Sequence, residues 1–368
     1  MNIIQIVPQL PPATSGVGDY ALNIARQLRQ FSIETHFLVA NPDWKGAATI
    51  EDFAIAKVEH KSASALMSLL SQLKIDRVLL HYVGYGYARR GCPFWLIKGL
   101  EEWHGNHDST NLVTMFHETY ASSYKPWTSS FWSSLLQKHL LGRLSELSDR
   151  KITSLQEYGQ IISKLSHNRQ NKVITFPVFS NIGEPKRVSS LADRKPQLVV
   201  FGGRGRRTLL YQNSAAQLNR ACQVLGIEKI IDIGPATGLD IQQIVEVPVL
   251  EMGKLKTEEV SQFLLESKAG FFDYNIKRLA KSTIFASYCS HGTLAVCPQK
   301  HILVTDGIEA QKHYWTVPEN IEKRREEIEG LQKIADNAYQ WYQNHRLSVQ
   351  GQLFATQLDI QQFQSLIK

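Results

Sequence analysis

The stretch IVPQLPPATSGVGDYALNIARQL, residues 6–28, decides how the rest of the chain is read. A short apolar run, IIQIV (3–7), ends in a proline-rich loop, and Gly16 and Gly18 follow. Then Ala21, Leu22, Ile24, Ala25 and Leu28 recur at the spacing of one buried helix face. Gly16-Val17-Gly18-Asp19-Tyr20-Ala21 also satisfies the dinucleotide fingerprint G-x-G-x-x-G/A. A dinucleotide loop, however, leaves its strand almost at once. Here PQLPPATS, with three prolines, separates Val7 from Gly16, and the second strand ends in Ala40-Asn41 without a carboxylate for a ribose. What remains is a loop whose glycines permit close backbone approach and whose helix offers first-turn N–H groups to an anion. The plain alternative is a glycine turn that only starts a helix, with Asp19 on its dipole.

Strand-like and helix-like segments alternate outward from this stretch. THFLVA (35–40), RVLLHYV (77–83), NLVTMFHE (111–118) and KITSL (151–155) are nearly continuous apolar runs, with helical patterns near 64–73, 93–103 and 129–147. Such runs belong to a parallel sheet covered on both faces. After VITFPVFSNI (173–182) the polar, proline-containing GEPKRVSSLADRKP (183–196) reads as a linker. Alternation restarts with QLVVFGG, KIIDIG, VPVLEMG, AGFFDY and TLAVCP, and the last fifty residues are charged helices. The expected division is a first α/β domain over 1–182, the linker 183–196, a second α/β domain over 197–345, and a C-terminal helix over 346–368 that packs back on the first.

The 368 residues suffice for two cores, and 43% hydrophobic with 20% charged residues is a globular composition. No apolar run reaches the ~18 residues that span a bilayer. MNIIQIVPQL lacks the basic start and small-residue cleavage site of a signal peptide, so a cytoplasmic location is expected. Cys92, Cys222, Cys289 and Cys297 are scattered, and neither H-E-x-x-H nor D-x-D occurs, so no metal and no cofactor is expected. The net charge of +7 suits an anionic ligand or a membrane surface. Its basic residues are dispersed and carry no recognition motif, which argues against nucleic acid.

With these residues in view, the 6–28 stretch resembles the N-terminal signature of the GT-B glycosyltransferases, family 4-like, which include sucrose- and glycogen-synthase-like enzymes and bacterial polysaccharide transferases. The resemblance runs over most of the chain. It implies two Rossmann-like, doubly wound α/β domains facing a cleft, with C-terminal helices crossing back. Gly16, Val17 and Gly18 would then lie beside the donor diphosphate, and Asp19, Tyr20 and Glu118 on the acceptor side. FHE at 116–118 stands where the family places a cleft histidine near the transferred sugar, which makes His117 the catalytic candidate. FGGRGRR (201–207) resembles the donor domain's basic loop, with Arg204 and Arg207 in the places of an arginine and a lysine that grip the diphosphate; bidentate contact suits both. VLEMGKL (249–255) resembles the nucleobase loop, implying Met252, Gly253 and Leu255.

One departure stands out. The family's two glutamates, eight positions apart, are replaced by Leu279 and Ser287. RLAKSTIFASYCSHG (278–292) instead resembles a divergent branch in which Lys281, Ser282 and Thr283 start a helix whose N–H groups, with the lysine charge, would stabilise a leaving diphosphate. His291 and Cys289 read as packing residues.

The resemblance implies metal-independent, retaining transfer from a nucleotide-sugar donor, UDP-glucose before GDP-mannose, to a polysaccharide or lipid-linked saccharide. It is closest in kind to cyanobacterial exopolysaccharide transferases of the heterocyst-envelope type. The alternatives are an NAD-dependent oxidoreductase and a noncatalytic nucleotide-sugar-binding protein, the latter kept open by the missing glutamates. Residues 124–143 set Trp127, Phe131, Trp132, Leu135 and Leu136 among Lys125, Lys138, His139 and Arg143. That pattern suits a helix at a membrane interface, hence peripheral contact with the inner face of the plasma membrane. A core-facing helix using Leu136, Leu140, Leu141 and Leu144 is the competing reading.

Overall fold

The computed structural model describes residues 1–13, 15–73, 75–105, 111–121, 129–166, 172–299, 304–318 and 328–358. The chain divides into two compact units, one of Met1–Phe176 with Leu347–Lys368 and one of Pro177–Arg346.

Among the described residues, unit 1 holds an eight-stranded sheet. Its strands are β1 (Asn2–Val7), β2 (Glu34–Val39), β3 (Thr49–Ile50), β4 (Phe53–Lys57), β5 (Arg77–Tyr82), β6 (Asn111–Phe116), β7 (Arg150–Thr153) and β8 (Ile174–Thr175). Their order is β3-β4-β2-β1-β5-β6-β7-β8, parallel throughout except for the β3–β4 pair. The helices are α1 (Gly16–Gln30), α2 (Ala63–Gln72), α3 (Gly84–Tyr87), α4 (Phe94–Gly105), α5 (Ser129–Leu147) and α6 (Gln156–Leu165). Ile3, Ile4, Ile6 and Val7 of β1 are all fully buried, as is Gln5 between them, so neither face of this strand meets solvent. The chain winds from β1 toward β4 and then returns to β5, so the switch point lies between β1 and β5. Ligands of doubly wound sheets bind at the strand ends there.

Unit 2 repeats the plan among its described residues with β9 (Lys195–Phe201), β10 (Lys229–Ile233), β11 (Gln243–Ile244), β12 (Val247–Gly253), β13 (Ser267–Phe271), β14 (Leu294–Cys297) and β15 (Trp315–Thr316). The order is β11-β12-β10-β9-β13-β14-β15, with only β11–β12 antiparallel. Helices α7 (Arg204–Leu225), α8 (Thr257–Glu266), α9 (Thr283–Ser290) and α10 (Ile328–Gln343) accompany it. Its switch point lies between β9 and β13. The chain then returns to unit 1 as α11 (Leu347–Leu358) against α1. That contact is close: a Cβ on Gly351 would lie 2.5 Å from Gln27 Cβ.

Residues 183–196, polar enough to read as a linker, fall inside unit 2. Leu191 is buried, and so is Arg194, whose guanidinium donates to the carbonyls of Ser189, Leu264, Ser267 and His291 and to Thr293 Oγ1. The segment is polar because it supplies a buried cation that gathers loop carbonyls, and it does not span open solvent. No described helix is long and apolar enough to cross a membrane. On α5, Leu140, Leu141 and Leu144 are fully buried, whereas Leu135 and Leu136 are 54% and 48% exposed. Leu136 therefore does not join the core-facing stripe. Lys125 and Trp127, and the side chains of Phe131 and Trp132, lie outside the described residues.

Candidate functional site

In unit 1 the glycine loop divides its work between two positions. Ser15 caps α1, its Oγ accepting the Gly18 N–H at 3.2 Å. A Cβ on Gly18 would sit 2.4 Å from the Gln9 carbonyl oxygen, so the loop closes on its own backbone there. Gly16 is exposed and has nothing within 4 Å of where a Cβ would be. Closeness to a ligand is therefore available at Gly16, with half-buried Val17 beside it, while Gly18 serves packing. Asp19 is half-buried, and burial holds its carboxyl above the usual range against the pull of Arg26.

His117 follows β6, its backbone N–H bonded to the Tyr82 carbonyl at 2.9 Å. It does not stand alone. His117 Nε2 lies 3.1 Å from His81 Nδ1, and His81 Nε2 lies 2.8 Å from Gln5 Oε1. The register explains the meeting: Gln5 pairs with Leu79, two residues before His81, and His81 pairs with Met115, two before His117. Side chains two apart share a face, so the three polar groups line one side of the sheet across its switch point. Tyr20 of α1 sets its ring edge-on to His117 at 5.0 Å and donates its hydroxyl to Gln350 of α11 at 2.7 Å. Glu118 is half-buried beyond His117. His81 and Gln5 were hidden from sequence reading inside apolar runs; a polar residue two places off a neighbouring strand's register is the signal that finds them.

In unit 2 the basic loop separates its arginines. Arg204, first residue of α7, is exposed and donates from Nε to the Thr237 carbonyl at 3.2 Å. Arg207, expected beside it as a second grip on an anion, faces inward and is 2% exposed. Its guanidinium pairs with Asp232 at the end of β10 and donates to the carbonyls of Gly202 and Pro235. Tyr211 donates to the other Asp232 oxygen at 2.6 Å. One turn on from Arg204, Arg207 reaches in toward the sheet and finds a carboxylate there. Its guanidinium is spent holding the two loops together.

Across the switch point, Ser282 caps α9, accepting the Phe285 N–H at 3.2 Å. Lys281 and Thr283 flank it, both half-buried. A small pocket between β9 and β13 is lined by Phe201, Arg206, Asp273, Tyr274 and Ser282, with Arg206 stacked on the Tyr274 ring at 4.6 Å. Sequence reading missed Asp273, whose oxygens accept from Ser214 and Gln299, each at 2.7 Å. Leu279 is buried, and Ser287 is buried and bonded to Ser180 and the Thr283 carbonyl, so those positions offer no carboxylate. Met252 and Gly253 are exposed and Leu255 half-buried at the end of β12. His291, as a packing residue, bonds Ser261, Ser290 and the Ser287 carbonyl, and burial pulls its imidazole down to about 4.

No family model matches the chain, and no curated protein matches it by sequence. Solved structures match it by shape. An α-glucosyltransferase in complex with UDP-glucose and DNA containing an abasic site superposes with a TM-score of 0.60 at 11% identity, covering 100% of this chain and 99% of that one. TarM gives 0.59 at 10% identity, covering 99% and 98%. WaaG, a glycosyltransferase involved in lipopolysaccharide biosynthesis, gives 0.58 at 10% identity, covering 97% and 99%. The chain has the GT-B fold of these proteins. One of them is seen with DNA, so dispersed basic charge does not by itself set nucleic acid aside.

Proposed function

We propose that this protein is a glycosyltransferase that uses a nucleotide-sugar donor, UDP-glucose first among candidates. The observation that carries the reading is unit 2's switch point. There Arg204 at the start of α7, and Lys281 with the Ser282-capped start of α9, stand at the carboxyl ends of the central strands. Two helix N-termini and two cations are what a departing diphosphate needs without a metal ion. On this reading Met252, Gly253 and Leu255 contact the base, and Gly16 and Val17 approach the diphosphate. His117 holds a hydroxyl of the transferred sugar, with Asp19, Tyr20 and Glu118 on the acceptor side. Retention of configuration and a family 4-like, exopolysaccharide-type role extend the same proposal. A lipid-linked saccharide acceptor met at the cytoplasmic membrane face draws support from exposed Leu135 and Leu136 beside exposed Lys138 and His139 on α5.

A second reading, a noncatalytic nucleotide-sugar-binding protein, is favoured by buried Leu279 and Ser287, which leave a ribose without its usual carboxylates. The test is incubation of the full chain with labelled UDP-glucose and GDP-mannose, and with saccharide, lipid-linked and nucleic-acid acceptors. The transferase reading expects sugar transfer that falls at least about 100-fold in His117→Ala, the size of a positioned acid–base or hydrogen-bonding group. Binding of UDP without transfer to any acceptor selects the second reading; absence of nucleotide binding overturns both.

A further inference from the structure

Strand β2 starts at Glu34 and β4 at Phe53, yet the two pair only from Phe37 and Ile55 onward. Before they meet they leave a cavity of about 580 Å³, bordered also by Arg29 at the end of α1 and by Ser32 and Ile33 in the turn after it. That volume is in the range of small-molecule sites. The cavity lies at the amino ends of its strands, whereas Gly16 and His117 follow the carboxyl ends of β1 and β6. A strand's length, about 20 Å, separates the two rims.

The lining is polar and its polar groups are uncommitted. Among the described residues, the side chains of Ser32, Glu34, His36 and Asp52 make no hydrogen bond and no ion pair. Arg29 is braced with its guanidinium 4.0 Å over the Phe53 ring and Nη2 donating to the Glu51 carbonyl at 2.7 Å, which leaves further N–H donors to offer. The Glu51 carboxylate itself is engaged by Arg26. Thr35 adds an independent observation. It lines the cavity from β2, is 5% exposed, and its Oγ1 has no hydrogen-bond partner. A buried hydroxyl left without a partner is destabilising, and a ligand that bonds it removes that penalty.

We propose that this cavity is an accessory saccharide-binding site, apart from the reacting centre. Each hydroxyl of a sugar ring both donates and accepts, and a guanidinium, two carboxylates, an imidazole and two hydroxyls around one cavity meet both needs. Glu34 and Asp52 repel a phosphate, which sets this cavity apart from a nucleotide site. That the saccharide held here is a further stretch of the acceptor rests on the transferase reading; the binding site itself does not.

The experiment is a titration of the full chain, labelled with 13C at its threonine methyls, with maltotriose and cellotriose, Thr35→Val assigning the Thr35 signal. At least one of these sugars is expected to move that signal, with UDP absent or present. Asp52→Asn suits the left-handed backbone at this position (φ 66°), and Glu34→Gln keeps the shape of its side chain; each should weaken the same titration at least about tenfold, one hydrogen bond to a charged group. Thr35→Val keeps shape and removes the hydroxyl, so its melting temperature should not fall. In that variant the sugar should no longer slow hydrogen exchange in β2 and β4. A Thr35 signal moved by neither sugar, or moved by free lysine or glutamate instead, overturns the proposal. So does a titration indifferent to both carboxylate variants. A shifted Thr35 signal without sugar transfer counts against the transferase reading alone, and transfer with an unmoved signal counts against the accessory site alone.

Discussion

Beneath the switch point of unit 1 the buried polar groups are an amide, two imidazoles and a phenol: Gln5, His81 and His117, then Tyr20 reaching Gln350. In unit 2 buried ions stand one strand away from the switch point, on the β10 side of β9: Arg207 against Asp232, with Tyr211 beside it, and a second buried guanidinium, Arg194, is satisfied by carbonyls. A guanidinium never gives up its proton, so a loop tied to one is simply held. A chain of imidazoles holds as firmly, yet where its protons lie is decided by neighbours. Unit 2 braces its loops with a buried ion pair, and unit 1 joins three strands through a file of amide and imidazole side chains.

Acid should produce the largest effect and separate the units. Burial pulls His81 to about 3 in unit 1, and His291 to about 4 and His345 to about 3 in unit 2, against 6.5 when exposed. Each is neutral when folded and charges on unfolding, so their stabilising contribution is complete above pH 6.5 and drains away toward the folded values. By pH 4.5 the loss is on the order of a few kcal/mol from His81 in unit 1 and roughly twice that from His291 and His345 together in unit 2, where His313, also lowered by burial, adds in the same direction. Peptide-resolved hydrogen exchange between pH 7 and 4.5 reads both; equal slopes would break the comparison.

Next in size is the contrast between the two arginines of one helix. Arg207→Met leaves Asp232 buried without its cation and should cost unit 2 about 3–5 kcal/mol in urea unfolding. Arg204→Ala should change stability by no more than about 1 kcal/mol yet weaken UDP binding by about 1.5–3 kcal/mol in calorimetry. Equal losses of UDP affinity at unchanged stability would return Arg207 to the ligand. The smallest contrast lies in the glycine loop. Gly18→Ala forces a Cβ against the Gln9 carbonyl and should lose about 1–3 kcal/mol. Gly16→Ala should leave stability within about 1 kcal/mol, so that any loss of donor affinity belongs to ligand approach. Similar melting temperatures for both would show that the loop does not divide its work.

Much of this architecture could be read directly from residue order. IIQIV and RVLLHYV are apolar on both faces because helices cover both, and a strand of that kind has little else to become. His117 was visible because it ends such a strand. His81 was not, because a histidine inside an apolar run acquires meaning only when strands from 5, 81 and 117 align in register. Arg207 misled for a related reason. FGGRGRR announces a basic turn, but which arginine faces solvent depends on Asp232, which belongs to another strand. Residues 183–196 misled by composition, since Arg194 is buried among carbonyls of its own segment, of Leu264 and Ser267, and of His291.

The return of α11 to unit 1 has a consequence in time. Tyr20 and its hydrogen-bond partner Gln350 are 330 positions apart. A ribosome adding about 5–20 residues per second needs roughly 15–65 seconds to make the second after the first. During that interval the α1 surface that α11 will cover, including the ground around Gln27, faces the cell with no covering helix. The whole of unit 2 can emerge and fold while the earlier-made unit waits. The domain begun first is thus finished last, and the wall beside His117 is among the final pieces set.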